Sequence, residues 1–172
     1  MNELQRWANF YLLISAAAAA LIGLLFVVIT LGAERSAQDD TAKIRVYLTP
    51  TVLYFSTVLL LAALLTLPNH TRFTASLCLC LVGVAGLVYS GSFLLGQQHK
   101  KDYYGLQDRI VYAMLPWAAY GLHVFGGLLF FRAPQRGLTL VAAGMLSLIA
   151  LAIRNSWAIA VDLVSHPRGQ KY

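Results

Sequence analysis

The chain has 172 residues, of which 59% are hydrophobic and 12% charged, with a mean hydropathy of +0.66. A water-soluble domain carries about 25% charged residues, so too little polar surface is left here to face water on all sides. The formal charge of +6 does not make a nucleic-acid binder, because the basic residues are scattered through polar connections instead of lining one face.

The first apolar run, Asn9 to Leu31, is longer than a typical signal-peptide core and follows a nearly neutral "MNELQRW". It reads as a retained membrane helix. The polar stretch "GAERSAQDDTAKIR" precedes a second run, Val46 to Leu67, with Pro50 near its start, where a missing N–H costs least. "PNHTR" is a tight break. The third run is Phe73 to Leu95, followed by the polar "GQQHKKDYYGLQDR". The fourth is Ile110 to Phe131, ended by "RAPQRG", and the fifth and longest is Leu138 to Val164.

Only helices or closed barrels satisfy their backbone polar groups inside a bilayer. Barrel strands would alternate over about ten residues. These runs are apolar all round and about twice that length, as membrane-spanning helices require. The expected fold is all-α: one polytopic domain over residues 1–172, with helices over about 9–31, 46–67, 73–95, 110–131 and 138–164. The lipid bilayer is its first partner. Alternate connections hold four basic residues (Arg6, Arg72, Arg132, Arg136) against eight (Arg35, Lys43, Arg45, Lys100, Lys101, Arg109, Arg168, Lys171). The bias puts the N-terminus outside and the C-terminus in the cytoplasm. Tyr103, Tyr104 and Trp157 suit the inner aromatic belt.

Polar residues inside the runs are costly unless paired, so they are where a site is sought. Arg154 is the most expensive. It lies about 15 Å of helix from Val164, and either faces protein or snorkels to the headgroups. Steps of three and four place Ala143, Ser147, Ala150, Arg154 and Ala158 on one stripe, and Gly144, Leu148, Leu151, Asn155 and Asp162 on the next. Both are expected to point into protein. The fourth run carries Tyr112, Pro116, Tyr120, His123 and Gly127 on one stripe, and Pro116 removes a hydrogen bond to the carbonyl of Tyr112. The second run adds Thr49, Thr51, Tyr54, Ser56 and Thr57. Gly83, Gly86 and Ser90 in the third mark close helix packing.

No catalytic set is assembled by the sequence. Cys78 and Cys80 are two apart and offer too few ligands for a closed zinc site, so they are expected to be buried and reduced. Of the four histidines, His70, His99 and His166 lie in connections or the tail; only His123 is well inside a run, which argues against a bis-histidine haem. No H-E-x-x-H, G-x-S-x-G or Walker-type motif occurs. Neither enzyme activity, cofactor nor metal is expected.

Three stretches carry a resemblance: "RVYLTPTVLYFSTVLLLAALL", "VYAMLPWAAYGLHV" and "LIALAIRNSW". Together they resemble a family of small multi-pass bacterial membrane proteins of unknown function. That family similarly has a Thr-Pro-Thr helix start, a Leu-Pro…Tyr helix and an Ile-Arg-Asn-x-Trp ending. The matching residues are Thr49, Pro50, Thr51, Leu115, Pro116, Tyr120, Ile153, Arg154, Asn155 and Trp157. Where the family often has His and Asp, this chain has Tyr54 and Ala158. The resemblance implies a bacterial inner-membrane setting and no activity.

The leading expectation is a polar intramembrane cluster of Thr49, Thr51, Tyr54, Tyr112, Tyr120, His123, Arg154 and Asn155 lining a path for a small solute or ion. Arg154 would favour anionic or polar permeants. The alternative is an accessory or scaffold subunit packing on a membrane protein partner or a second copy through its small-residue faces.

Overall fold

The computed structural model describes residues 3–33, 40–68, 71–97 and 106–165, with side chains over 3–31, 48–68, 71–92 and 114–161. Among these residues the regular elements are all α-helices. A short α1 (Glu3–Arg6) precedes α2 (Ala8–Ala33), α3 (Asp40–Thr66), α4 (Arg72–Gln97), α5 (Leu106–Arg132) and α6 (Pro134–Ser165). Each of α2 to α6 contains a stretch long and apolar enough to cross a bilayer. The outward-facing surface agrees: Leu13, Val88, Phe73 and Phe125 are all more than 60% exposed. Such a surface is tolerable in lipid and a large liability in water. Tyr103, Tyr104, His70, His99, His166 and the basic residues Arg35, Lys100, Lys101, Arg168 and Lys171 lie outside the described residues.

The helices follow one another in space in an order the chain does not. α2 packs on α3, α3 on α6, α6 on α5 and α5 on α4, with a lighter contact between α3 and α4. α3 to α6 therefore form a four-helix group, and α2 leans on it from outside. The buried faces show why. On α6, Leu138, Val141, Met145, Leu148, Ala152, Asn155 and Ile159 are buried, alternating three and four residues apart. That spacing gives one continuous seam along a helix. α3 buries Thr51, Tyr54, Phe55, Val58, Leu61, Ala62 and Leu65 in the same way. α2 buries only a thin line of Tyr11, Ile14, Ala18 and Leu25.

Lipid tails are as apolar as leucine, so apolarity alone does not hold helices together in a membrane; close van der Waals approach does. Glycines provide it. A Cβ on Gly127 would lie 2.9 Å from Leu79 Cβ and Cys80 Sγ, so α5 meets α4 there with nothing between. A Cβ on Gly126 would lie 2.9 Å from the carbonyl oxygen of Gly137, and one on Gly137 would lie 2.5 Å from the backbone nitrogen of Phe130. Interhelical hydrogen bonds also join α4 to α5. The Ser76 hydroxyl donates to the Gly127 carbonyl at 2.5 Å, and the Cys80 thiol donates to the Val124 carbonyl at 3.7 Å.

Two expectations about the helices need correction. The break expected over residues 132–137 shrinks to Ala133, because α6 begins at Pro134. Proline suits a first helical position, where its missing N–H has no partner to lose. The corner is closed by Ala133 N–H donating to Leu129 O at 2.7 Å and Gly137 N–H donating to Ala133 O at 3.0 Å. Secondly, α3 starts at Asp40 and α5 at Leu106, several residues before their apolar runs. A backbone ladder does not need apolar side chains, so polar ends extend a helix beyond hydrocarbon. Pro50 consequently lies inside α3, not in its first turn.

The α5–α6 contact makes a testable difference between glycines. Gly137→Ala should lower stability in detergent micelles by about 1–3 kcal/mol, the usual cost of overpacking. A Cβ on Gly121 would meet nothing within 4 Å, so Gly121→Ala should be neutral or stabilising by up to about 1 kcal/mol. Equal unfolding midpoints for the two variants would refute this account of the contact.

Candidate functional site

The centre of the four-helix group is polar. Tyr120 and His123, one turn apart on α5, are both fully buried. Glycines make the space. A methyl group on Gly86 of α4 would collide with the Tyr120 ring, so that ring lies flat against bare backbone. A Cβ on Gly83 would lie 3.2 Å from His123 Cβ, and one on Gly144 of α6 would lie 2.7 Å from His123 Cε1. The imidazole is thus clasped between α4 and α6. On the remaining side, α3 supplies Tyr54, whose ring centre is 6.3 Å from that of Tyr120, and Thr57. The rings of Tyr120 and His123 are 6.1 Å apart.

Three hydrogen bonds organise these side chains. Thr57 Oγ1 donates to the Leu53 carbonyl at 2.8 Å, one turn back on its own helix. Thr57 Oγ1 and the Tyr120 hydroxyl are 3.2 Å apart, linking α3 to α5. His123 Nδ1 is 2.7 Å from the Ala119 carbonyl. His123 Nε2 has no hydrogen-bond partner. His123 lies well inside the apolar run of α5, eight residues before Phe131, about 12 Å of helix at 1.5 Å per residue.

Compared with known protein families, curated proteins and solved structures, the chain matches none. Its function is therefore read from geometry alone.

Of the eight residues expected to cluster, the structure brings together three: Tyr54, Tyr120 and His123. Thr51 is buried on the same face of α3, about 9 Å of helix rise closer to the start of α3 than Thr57. Thr49 is exposed. Asn155 is buried, with its Oδ1 lacking a partner, but it is far from the cluster. α5 and α6 run antiparallel, with Gly126 beside Val141 and Gly144 beside Ala119 and His123. Carrying that register along at about 1.5 Å per residue puts Asn155 beside Ile110, about 15 Å from the level of Tyr120. The side chains of Tyr112 and Asp162 lie outside the described residues.

Arg154 is exposed, as are Ala143 and Ala150 on its stripe, while Gly144, Leu148, Leu151 and Asn155 on the adjacent stripe are buried. Within this chain the second stripe therefore faces the other helices over its described residues, while the first faces out of the group. The same register puts Arg154 beside Val111, about 3 Å from the level of Arg109 near the start of α5 and about 14 Å from the level of Tyr120. Arg154 thus faces out of the helix group, away from the central side chains.

The residues that sequence reasoning left out of the site are Thr57 and the glycines at 83, 86 and 144. A signal existed for Thr57: it lies three residues after Tyr54, on the same helix face. None of the four polar side chains at the centre is an acid or a basic chain end, and among the described residues no group of three or more His, Cys, Asp or Glu could hold a metal. What the arrangement offers chemically is neutral hydrogen-bonding groups and aromatic faces in a low-dielectric interior.

The Tyr120–Thr57 bond can be weighed by a double-mutant cycle of Tyr120→Phe and Thr57→Val. A coupling of about 0.6 kcal/mol, and at most about 1.7, is expected for one such bond between membrane helices. Fully additive losses in unfolding free energy would mean that the two hydroxyls do not hold α3 to α5.

Proposed function

We propose that this chain is a non-enzymatic multi-pass protein of a bacterial inner membrane that passes a small solute or ion through a polar site enclosed by its helices. The observation that carries this reading is the fully buried His123 whose Nε2 has no hydrogen-bond partner. A buried polar atom left unsatisfied costs about 1–3 kcal/mol, and an apolar side chain in its place would cost nothing of the kind. Ionisable side chains enclosed within membrane helices are rare, and they mark ion and solute paths. Tyr120, Thr57 and Tyr54 complete the site. Arg154 instead faces out of the helix group.

The proposed orientation has the N-terminus outside and the C-terminus in the cytoplasm. The alternation of α3 to α6 supports it by bringing Arg72, Arg132 and Arg136, at the adjoining ends of α4, α5 and α6, to one side. The more heavily basic connections then fall on the other side, the cytoplasmic one by the usual bias.

A second reading, an accessory or scaffold subunit, is favoured by the outer stripe of α6. Ala143 and Ala150 are exposed there along with Arg154, and small residues let another helix approach.

Flux into liposomes separates the two. Under the pathway reading, wild-type protein moves small polar solutes or ions faster than protein-free vesicles. His123→Phe should reduce that flux at least about tenfold, the equivalent of about 1.4 kcal/mol and of one lost buried hydrogen bond. Arg154→Leu should leave it within about twofold, a change of under half a kcal/mol. No flux by the folded protein, with one stoichiometric membrane partner co-purifying, would give the second reading the field.

A further inference from the structure

The hydrogen-bond directions at the centre are forced, and they decide which ligands fit. Thr57 has one hydroxyl proton, and it goes to the Leu53 carbonyl at 2.8 Å. In the 3.2 Å contact between Thr57 and Tyr120 the proton must therefore come from Tyr120. His123 Nδ1 faces the Ala119 carbonyl at 2.7 Å. A carbonyl oxygen can only accept, so Nδ1 carries the ring proton. In a neutral imidazole the other nitrogen is then a bare lone pair, and Nε2 is the buried atom without a partner. Both protons of the Thr57–Tyr120 pair and the ring proton of His123 are committed to protein acceptors. What stays available is the lone pair of Nε2 and the second lone pair of the Tyr120 oxygen. These two side chains thus offer acceptors and no spare donor.

We infer that His123 Nε2, a bare acceptor, takes a small hydrogen-bond-donating cation of the ammonium class. This inference rests on the proposed reading of His123 as a ligand site. An ammonium ion brings only donors, which is what two bare acceptors lack. Among the described side chains no basic chain end joins the cluster to oppose a positive ligand: Arg132 and Arg136 lie at the corner between α5 and α6, and Arg154 faces outward. The ligand must be small, because Gly83, Gly86 and Gly144 leave the rings pressed against bare backbone. The anion preference expected from Arg154 does not apply, since that side chain is not at the site.

The test uses the full chain in lipid nanodiscs, labelled with nitrogen-15 at histidine, with the His123 signals assigned by their loss in His123→Asn. At constant pH, Nδ1 should be protonated and Nε2 bare, and Nε2 should shift saturably with ammonium chloride but not with sodium chloride or sodium formate. Tyr120→Phe, which keeps the ring, should weaken the ammonium response about tenfold, the equivalent of about one hydrogen bond. A protonated Nε2 with a bare Nδ1 overturns the inference, as does a shift produced by formate. A bare Nε2 that ammonium leaves unmoved overturns the ligand class, leaving a site for water alone. Vesicle flux keeps the two claims apart. Formate flux that depends on His123 sinks the ligand class and leaves the pathway standing. An ammonium-responsive Nε2 in a protein that conducts nothing supports the ligand class and sinks the pathway.

Discussion

The distance between backbones at α4, α5 and α6 is the constraint on which the rest of this structure hangs. In hydrocarbon each helix already satisfies its own peptide groups, and apolar side chains gain nothing by leaving lipid for protein. What remains is contact. Gly127 against Leu79 and Cys80, and Gly126 against Gly137, bring the three helices together near the corner between α5 and α6. Farther from that corner, Gly83, Gly86 and Gly144 stop the helices short of larger groups, and the space so defined is filled by the side chains of Tyr120 and His123. The polar centre is thus not inserted into a finished bundle. Its rings are the packing that the glycines permit.

That dependence explains why some polar residues of the runs matter more than others. Tyr11 OH, Ser90 Oγ and Asn155 Oδ1, like His123 Nε2, are buried without a hydrogen-bond partner. Asn155 and Ser90 lie toward the C-terminal ends of their helices, and Tyr11 lies near the start of α2. Among the four, His123 is the one clasped between two glycine-lined helices, α4 and α6. Enclosure, rather than polarity itself, singles it out.

The helices were legible from the sequence because twenty apolar residues in a row leave few alternatives. Their polar extensions were not, since hydropathy falls at Val46 while the backbone ladder of α3 runs unbroken from Asp40. The centre was half legible. Tyr54, Tyr120 and His123 stand out as polar residues at helical spacing, but Thr57 is ambiguous in any membrane helix, because a threonine can satisfy itself on its own backbone. Here it does that and also meets Tyr120. Arg154 misled for a different reason. Its distance from the centre depends on the register between α5 and α6, which the glycine contacts fix and no single run reveals. The neighbouring stripes of α6 were equally opaque: alanine and serine are at home against lipid and against protein alike.

The single-residue connection at Ala133 has a consequence for how the chain reaches its place. α5 and α6 form a tight hairpin, and within that hairpin His123 already faces Gly144 and donates to Ala119. The imidazole and the backbone that covers it therefore belong to one unit of biogenesis. A hairpin inserting as a pair carries its buried imidazole into the lipid half wrapped, and α4, with Gly83 and Gly86, and α3, with Thr57 and Tyr54, dock to finish the enclosure.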